Sequence, residues 1–289
     1  MQENNNSQPL MVSIKCITYN HEPYIRQCLE GFVMQKTNFR FEAVVHDDAS
    51  TDGTADIIRE YAEKYPDIIK PIYETENQYS KKDGSLGRIM NAACTGKYIA
   101  MCEGDDYWTD PLKLQKQVDI LESNPEVGLV RTNCDMLYQR TQKIKKAVMS
   151  NEYYSSIKNT YQDQIYNAKW VATCTWVYRN NIDIERIILD YKLDRKKYFL
   201  GDLFLLLCVL KSSTVVYLNQ TTSVYRVVDL SASHFKTFKE SLSFFLSVAR
   251  TRVFFAKDIG FVFVVRVKIK ICLQVVGMII SKIRQDILK

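Results

Sequence analysis

The chain has 289 residues, 46% of them hydrophobic and 25% charged, with a formal net charge of +6. That length supports one large domain, or one domain with an appendage, around a sizeable core. The mild positive balance does not mark a dedicated nucleic-acid binder.

The opening "MQENNNSQPL" is polar and lacks the apolar stretch of a signal peptide, so residues 1–10 read as a disordered lead-in. "MVSIKCITY" (11–19) reads as a buried strand. Pro23 then suits the first turn of a helix running to about Met34. "FEAVVH" (41–46) is a second strand and ends in "DDASTDGT". A helix follows from about Thr54 to Tyr65, with Ile57, Ile58 and Tyr61 at helical spacing. "DIIKPIYE" (67–74) predicts a third strand and Ser85 to Cys94 a helix. "KYIAMC" (97–102) predicts a fourth strand, which runs into "EGDDYW". Asp110 and Pro111 have the chemistry of an N-cap and a first helical residue, opening a helix to about Glu122. Val127–Val130 begins another strand.

Beyond this point the pattern is less regular. "YFLGDLFLLLCVLKSS" (198–213) predicts a buried helix beginning near Asp202. "TVVYL" and "TSVYRVV" predict two strands separated by Asn219 and Gln220, and the chain reads as helical from about Phe235.

Strands alternating with helices, the strands nearly continuous in apolar residues, argue for an α/β fold with a mainly parallel sheet covered on both faces. Ligands of such sheets bind beyond the carboxyl ends of the strands. Three polar clusters fall there: "TYNHE", "HDDASTDGT" and "EGDDYW". They should share one crevice. Paired carboxylates at such a mouth suit a hard cation such as Mg²⁺ or Mn²⁺, which takes one or two protein carboxylates and completes its shell with phosphate and water. The plain alternative for Asp105 and Asp106 is a cap and a solvated surface acid. Asp110 already offers a cap, which leaves those two without a structural need. The turn residues Ser50 to Thr54 need no function. Asp47 and Asp48, directly at a strand end, are less easily explained that way, and a carboxylate there can accept a hydrogen bond from a nucleobase imide.

"VSIKCITYN", "HDDASTDGT" and "GKYIAMCEGDDYWTDPLKLQKQ" resemble, in order, the signatures of family 2 glycosyltransferases, closely over residues 11–135 and more weakly to about 234. The resemblance implies a GT-A, Rossmann-like α/β fold and transfer of a sugar from a nucleotide donor with inversion. Carried over by motif, Tyr19 would stack on the nucleobase, Asp48 would hydrogen-bond it, and Thr18 and Asn20 would line the same pocket. Asp105 would contact the ribose or sugar, Asp106 would coordinate Mn²⁺ or Mg²⁺, and Arg88 would reach the donor. Inversion needs a carboxylate opposite the leaving group. In the family it precedes a helix, which implies Asp202 in "FLGDLF"; an N-cap role would look the same in sequence. "VATCTW" (171–176) would line the acceptor side, although Thr and Cys on a half-buried strand would look the same.

Departures from the pattern are informative. Val228 stands where many relatives place a metal-binding histidine, with His234 six residues later as a substitute ligand. The Q-x-x-R-W element of processive synthases is absent, which implies transfer of a single sugar. His21 and His46 read as structural. The division expected is 11–135 for the nucleotide-sugar, 136–234 for the acceptor and base, and 235–289 as a helical extension. The resemblance implies a UDP-sugar as donor and an oligosaccharide or lipid-linked acceptor in surface polysaccharide synthesis. Two other readings stay open: a sugar nucleotidyltransferase, although "TYNHEPY" lacks the glycine of a triphosphate loop, and a non-catalytic nucleotide-sugar binder.

The eight cysteines form no C-x-x-C pair and sit mostly in apolar runs, as free thiols of a reducing, cytoplasmic compartment would. No stretch reaches the ~18 apolar residues of a membrane span. In residues 261–289, Arg266, Lys270, Gln274, Gly277, Ser281 and Arg284 fall on one helical stripe and most of the remainder is aliphatic. Such a helix either packs on the domain or lies against the inner face of an anionic membrane.

Overall fold

The computed structural model describes residues 8–149, 160–169, 171–198, 201–228 and 237–287. His234 lies outside the described residues, as does the lead-in up to residue 7.

Four parallel strands form one half of a nine-stranded sheet: β1 (Leu10–Thr18), β2 (Arg40–Asp47), β3 (Ile69–Tyr73) and β4 (Tyr98–Met101). Their order is β3-β2-β1-β4. The chain therefore builds outward on one side of β1 and returns to place β4 on the other. The crevice at that reversal lies beyond the ends of β1 and β4, where open α/β sheets bind ligands. Between the strands run α1 (Glu22–Val33), α2 (Thr54–Lys64), α3 (Gln78–Lys81) and α4 (Ser85–Ala93). In α1, Pro23 occupies the first turn, and Ile25, Cys28, Leu29 and Phe32 are buried at the spacing of one helical face.

The other half of the sheet is mixed. It contains β5 (Tyr107–Trp108), β6 (Val127–Tyr138), β7 (Lys143–Lys145), β8 (Trp176–Arg179) and β9 (Thr214–Val227). β8 is antiparallel to both β4 and β6, β9 is parallel to β6, and β5 is antiparallel to β9. The sequence predicts two strands around Asn219 and Gln220, but β9 is one strand. Thr132 pairs with Leu218 and Asn133 with Thr221, so Asn219 and Gln220 are an insertion that bulges out of the ladder. The register slips once more between Asn133 and Cys134, which pairs with Ser223, so Thr222 is a further extra residue and the side-chain alternation of β9 reverses relative to β6 across the bulge.

The helix after the acidic stretch, α5 (Lys113–Ser123), starts later than expected, with Leu112 at its cap position. Asp110 Oδ1 instead accepts the Leu112 N–H at 2.9 Å, capping the turn that leads in, and its other oxygen meets Lys116 Nζ at 2.7 Å. "VATCTW" is not a strand throughout: residues Thr173–Thr175 form a 3₁₀ turn and only Trp176 opens β8.

After α6 (Tyr161–Asn167) and α7 (Ile184–Asp190) come α8 (Asp202–Ser212), α9 (Phe238–Ala256) and α10 (Phe261–Ile287). α8 is apolar on every side and is accordingly buried. Leu205, Leu206 and Val209 face the main core beneath the sheet. Leu203, Phe204, Leu207 and Cys208 face a second core made with Phe255, Ala256 and Val267. The C-terminal helices are thus half of the packing around α8. α9 opens with a complete capping box between Thr237 and Glu240. The polar stripe of α10 partly faces inward. Lys270 bonds Asn167 and lies 4.1 Å from the Tyr166 ring, and Gln274 accepts from Arg252 at 3.0 Å.

All eight cysteines are free, and Cys272 alone among them is exposed. Among the described residues no helix is long and apolar enough to cross a membrane.

Candidate active site

Register brings the three polar clusters together. Thr18 pairs with Asp47, the Asp48 N–H donates to the Thr18 carbonyl at 2.9 Å, and the Gly104 N–H donates to the Ile17 carbonyl at 3.0 Å. Gly104 has to be glycine: a Cβ there would stand 2.6 Å from Thr18 Oγ1 and 3.0 Å from His21 Nδ1. Those two buried polar atoms have no hydrogen-bond partner among the described residues. An unpaired hydroxyl and imidazole beside the acidic loop are what a polar ligand would satisfy.

Each predicted donor residue has a definite place. Tyr19 is solvent-exposed at the rim. Asn20 takes a left-handed conformation (φ 54°), which Asn tolerates. Its backbone N–H donates to Ser50 Oγ and its Oδ1 accepts from the Thr51 N–H, clipping the first loop to the second. Asp48 is buried and accepts the N–H groups of Gln78 at 2.6 Å and Tyr79 at 3.0 Å, so it also anchors α3. Each carboxylate oxygen keeps a second acceptor site. Arg88 is not brought to the crevice. Its guanidinium donates to the Asp83 carbonyl and faces a small surface pocket beside Glu185 and Arg195. His46 is structural as expected, buried against Glu74 at 3.3 Å.

A cavity of about 1180 Å³ runs from the acidic loop over β1, β4 and β8 to α8 and α9. Ile17 and Tyr79 line it, so the nucleotide-side residues flank its mouth. Glu103, Asp105, Asp106 and Asp202 all open onto it. Asp202 does not cap α8. The cap position belongs to Gly201, and among the described residues the Asp202 carboxylate accepts the adjacent Leu203 N–H, at 2.8 Å. Burial pushes its carboxyl up from the ordinary value. A carboxylate kept from capping, desolvated and facing a cavity is what a general base requires.

The acidic loop is held by Arg226, which the sequence reading passed over in favour of Val228. The Arg226 N–H donates to Asp106 Oδ1 at 2.7 Å and its Nε donates to the Asp105 carbonyl at 2.7 Å. Its two terminal nitrogens reach Gln139 and Gln27, and the guanidinium stacks between Tyr24 and Tyr107. Trp108 completes the anchoring, donating its indole N–H to the Cys174 carbonyl at 2.9 Å. Glu103 also went unassigned from sequence. It accepts from Thr173 Oγ1 at 2.9 Å, and burial, with Asp105 second, pushes its carboxyl up to about 7. Burial, reinforced by Asp105 and then Glu103, pushes Asp106 well above the ordinary carboxylate range. Asp105 thus raises the carboxyls on both sides of it, and hard oxygen donors of this kind are the ligands a divalent cation prefers. Among the described residues no three His, Cys, Asp or Glu side chains are grouped so as to hold a metal ion.

The family model described as glycosyl transferase family 2 matches residues 13–185, more than half of the chain and all of the crevice up to α7. The chain belongs to glycosyl transferase family 2. TuaG of Bacillus subtilis, whose name assigns it to teichuronic acid biosynthesis as a glycosyltransferase, is 27% identical over 79% of this chain and 83% of its own. An uncharacterized Mycobacterium tuberculosis protein is 50% identical over 128 residues, 44% of this chain; the chain spans only 36% of that relative's length. Among solved structures, Staphylococcus aureus TarS in complex with UDP-GlcNAc superposes with a TM-score of 0.60 at 19% identity, over 85% of this chain and 66% of that one. A mannosyltransferase from Pyrobaculum calidifontis in complex with GDP-Man and Mn²⁺ gives 0.54 at 18%, over 88% and 64%. This family 2 member therefore has the GT-A type of α/β fold.

Proposed function

We propose that the protein is an inverting glycosyltransferase that moves a single sugar from a UDP-sugar to a saccharide acceptor during surface polysaccharide synthesis. The observation that carries this reading is Asp202, an uncommitted, desolvated carboxylate facing the acidic loop across one cavity. As base, Asp202 takes the proton of the acceptor hydroxyl as that oxygen attacks the anomeric carbon opposite the leaving nucleotide. Tyr19, Asp48, Thr18 and Asn20 hold the nucleoside at the ends of β1 and β2. Asp105 orients the ribose or sugar, and the unpaired Thr18 hydroxyl gives the donor a further partner. Asp106, with Asp105 and Glu103 beside it, holds Mn²⁺ or Mg²⁺; because one Asp106 oxygen is committed to Arg226, Asp105 offers the more open carboxylate. A bound cation supplies charge neutralisation to the leaving diphosphate. The cavity wall beyond the acids is largely apolar, with Val171, Leu203, Phe244 and Val248, which suits an acceptor carried on a lipid. The free thiols support a reducing, cytoplasmic setting.

The test is incubation of the protein with Mn²⁺ and a panel of UDP-, GDP- and dTDP-sugars, reading nucleotide release and nucleotide binding. Turnover that Asp202→Asn lowers by about 10²–10⁴-fold, with nucleotide binding retained, supports the assignment. Folded protein with neither turnover nor nucleotide binding rejects it. Binding without turnover favours the non-catalytic alternative.

A further inference from the structure

The outer face of α10 is the largest feature that the transfer reaction leaves unexplained. Val265, Ile269, Leu273, Val276, Ile280 and Ile283 recur along one side of the helix, and all six are exposed, Leu273 by 67%. The side opposite packs through the buried Val267 and the inward Lys270 and Gln274. The usual amphipathic arrangement is thus inverted, with aliphatic side chains outward for about 30 Å of helix. Lone exposed apolar residues are ordinary; a continuous row of this length marks an interaction surface.

Charge says what covers it. With about 100° per residue, Lys268 lies on one edge of the apolar face, and Arg266 and Arg284 lie on the other. All three are exposed. Residues 261–284 contain no Asp or Glu. A second copy laid on this face would set cationic edges against each other with no carboxylate to answer them. An anionic bilayer answers both edges with headgroup phosphates while its acyl boundary takes the aliphatic row. We propose that α10 is an in-plane docking surface for an anionic lipid bilayer. The helix lies on the membrane rather than through it, in keeping with the absence of a spanning helix among the described residues. α9 packs against α10 and also contributes Phe244 and Val248 to the cavity, so the docked surface is one helix away from the site. The docking itself does not depend on the transfer reaction.

The experiment is co-sedimentation of the full chain with phosphatidylcholine vesicles, with and without phosphatidylglycerol. Partition at least about tenfold stronger onto the anionic vesicles, weakened by added salt, is expected. Ile269→Glu with Leu273→Glu should abolish pelleting without lowering the melting temperature, because both side chains are exposed. Lys268→Glu with Arg284→Glu should remove the preference for phosphatidylglycerol. Wild-type protein that stays in the supernatant, or pelleting unchanged by the Ile269/Leu273 pair, overturns the proposal. A concentration-dependent dimer that this pair dissolves, without vesicle binding, overturns it in favour of a second copy.

Discussion

Replacing Glu103 with Gln keeps the side-chain shape and the hydrogen bond from Thr173 while removing the charge. Burial, then Asp105, raises the Glu103 carboxyl from 4.5 to about 7 in the folded protein. For an acid shifted upward, ionisation opposes folding. Below the unfolded pKa of 4.5 both states hold the proton and nothing is lost. Between 4.5 and about 7 the unfolded chain releases its proton first, so stability falls as pH rises; above about 7 the loss is constant. At about 1.4 kcal/mol per pKa unit the full effect approaches about 3 kcal/mol, an upper bound because the group faces an open cavity. For a chain of this length that is about 5 °C in melting temperature. The assay is thermal unfolding of wild type and Glu103→Gln in chelator from about pH 5 to about pH 8. The two curves should nearly coincide at the acid end and separate as pH rises, with the variant more stable. Added Mn²⁺ should raise the wild type more than the variant and narrow the gap. Parallel curves across the range, or a variant that loses ground as pH rises, would refute the electrostatic account of the acidic loop.

If Asp202 is the base, its burial moves the acid limb of kcat/KM upward from that of an ordinary aspartate, since a base works only when ionised; a pH–rate profile of nucleotide release, compared with Asp202→Glu, checks this. Arg226→Ala strands the Asp105 carbonyl, Gln27 and Gln139 and should cost about 2–4 kcal/mol in denaturant unfolding, with weakened donor binding. Gly104→Ala forces a methyl against Thr18 and His21 and should cost about 1–3 kcal/mol, together with a raised KM for the donor. Leu207→Ala, in the second core, should cost about 2–5 kcal/mol by calorimetry while leaving the KM for nucleotide-sugar unchanged.

The position of the crevice was legible because parallel strands put their carboxyl ends on one side, and "TYN", "HDDAS" and "EGDDYW" sit at those ends. Asp202 was legible as an acid before an apolar helix, but sequence could not say whether it caps that helix; Gly201 holds the cap position. What stayed hidden depends on pairings distant in the chain. The Arg226 clamp exists because β5 and β9 pair across 115 residues or more, which no local pattern records. The second bond set of Asp48 exists because α3 folds back over it. The bulge at Asn219 and Gln220 looked like a break because polar residues in a strand read as a turn unless the partner strand is known. The orientation of α10 could not be read from its stripe, since periodicity gives the two faces of a helix but not which one turns inward.

α8 is shared between two cores, and Asp202 stands at its tip. The helix behaves as a beam held from both sides: the sheet grips one flank and the C-terminal helices grip the other. The gap between Asp202 and the acidic loop is therefore a dimension set partly by residues about 50 positions downstream. On the proposed mechanism, reseating α9 against α8 would change which acceptor hydroxyl lies in line while leaving the residues at the ends of β1 and β2 where they are. For the same reason, trimming the chain after β9 would not yield a minimal enzyme. It would leave Phe204, Leu207 and Cys208 facing water and Asp202 without its far support, so point substitutions, not truncations, are the way to dissect this half of the molecule.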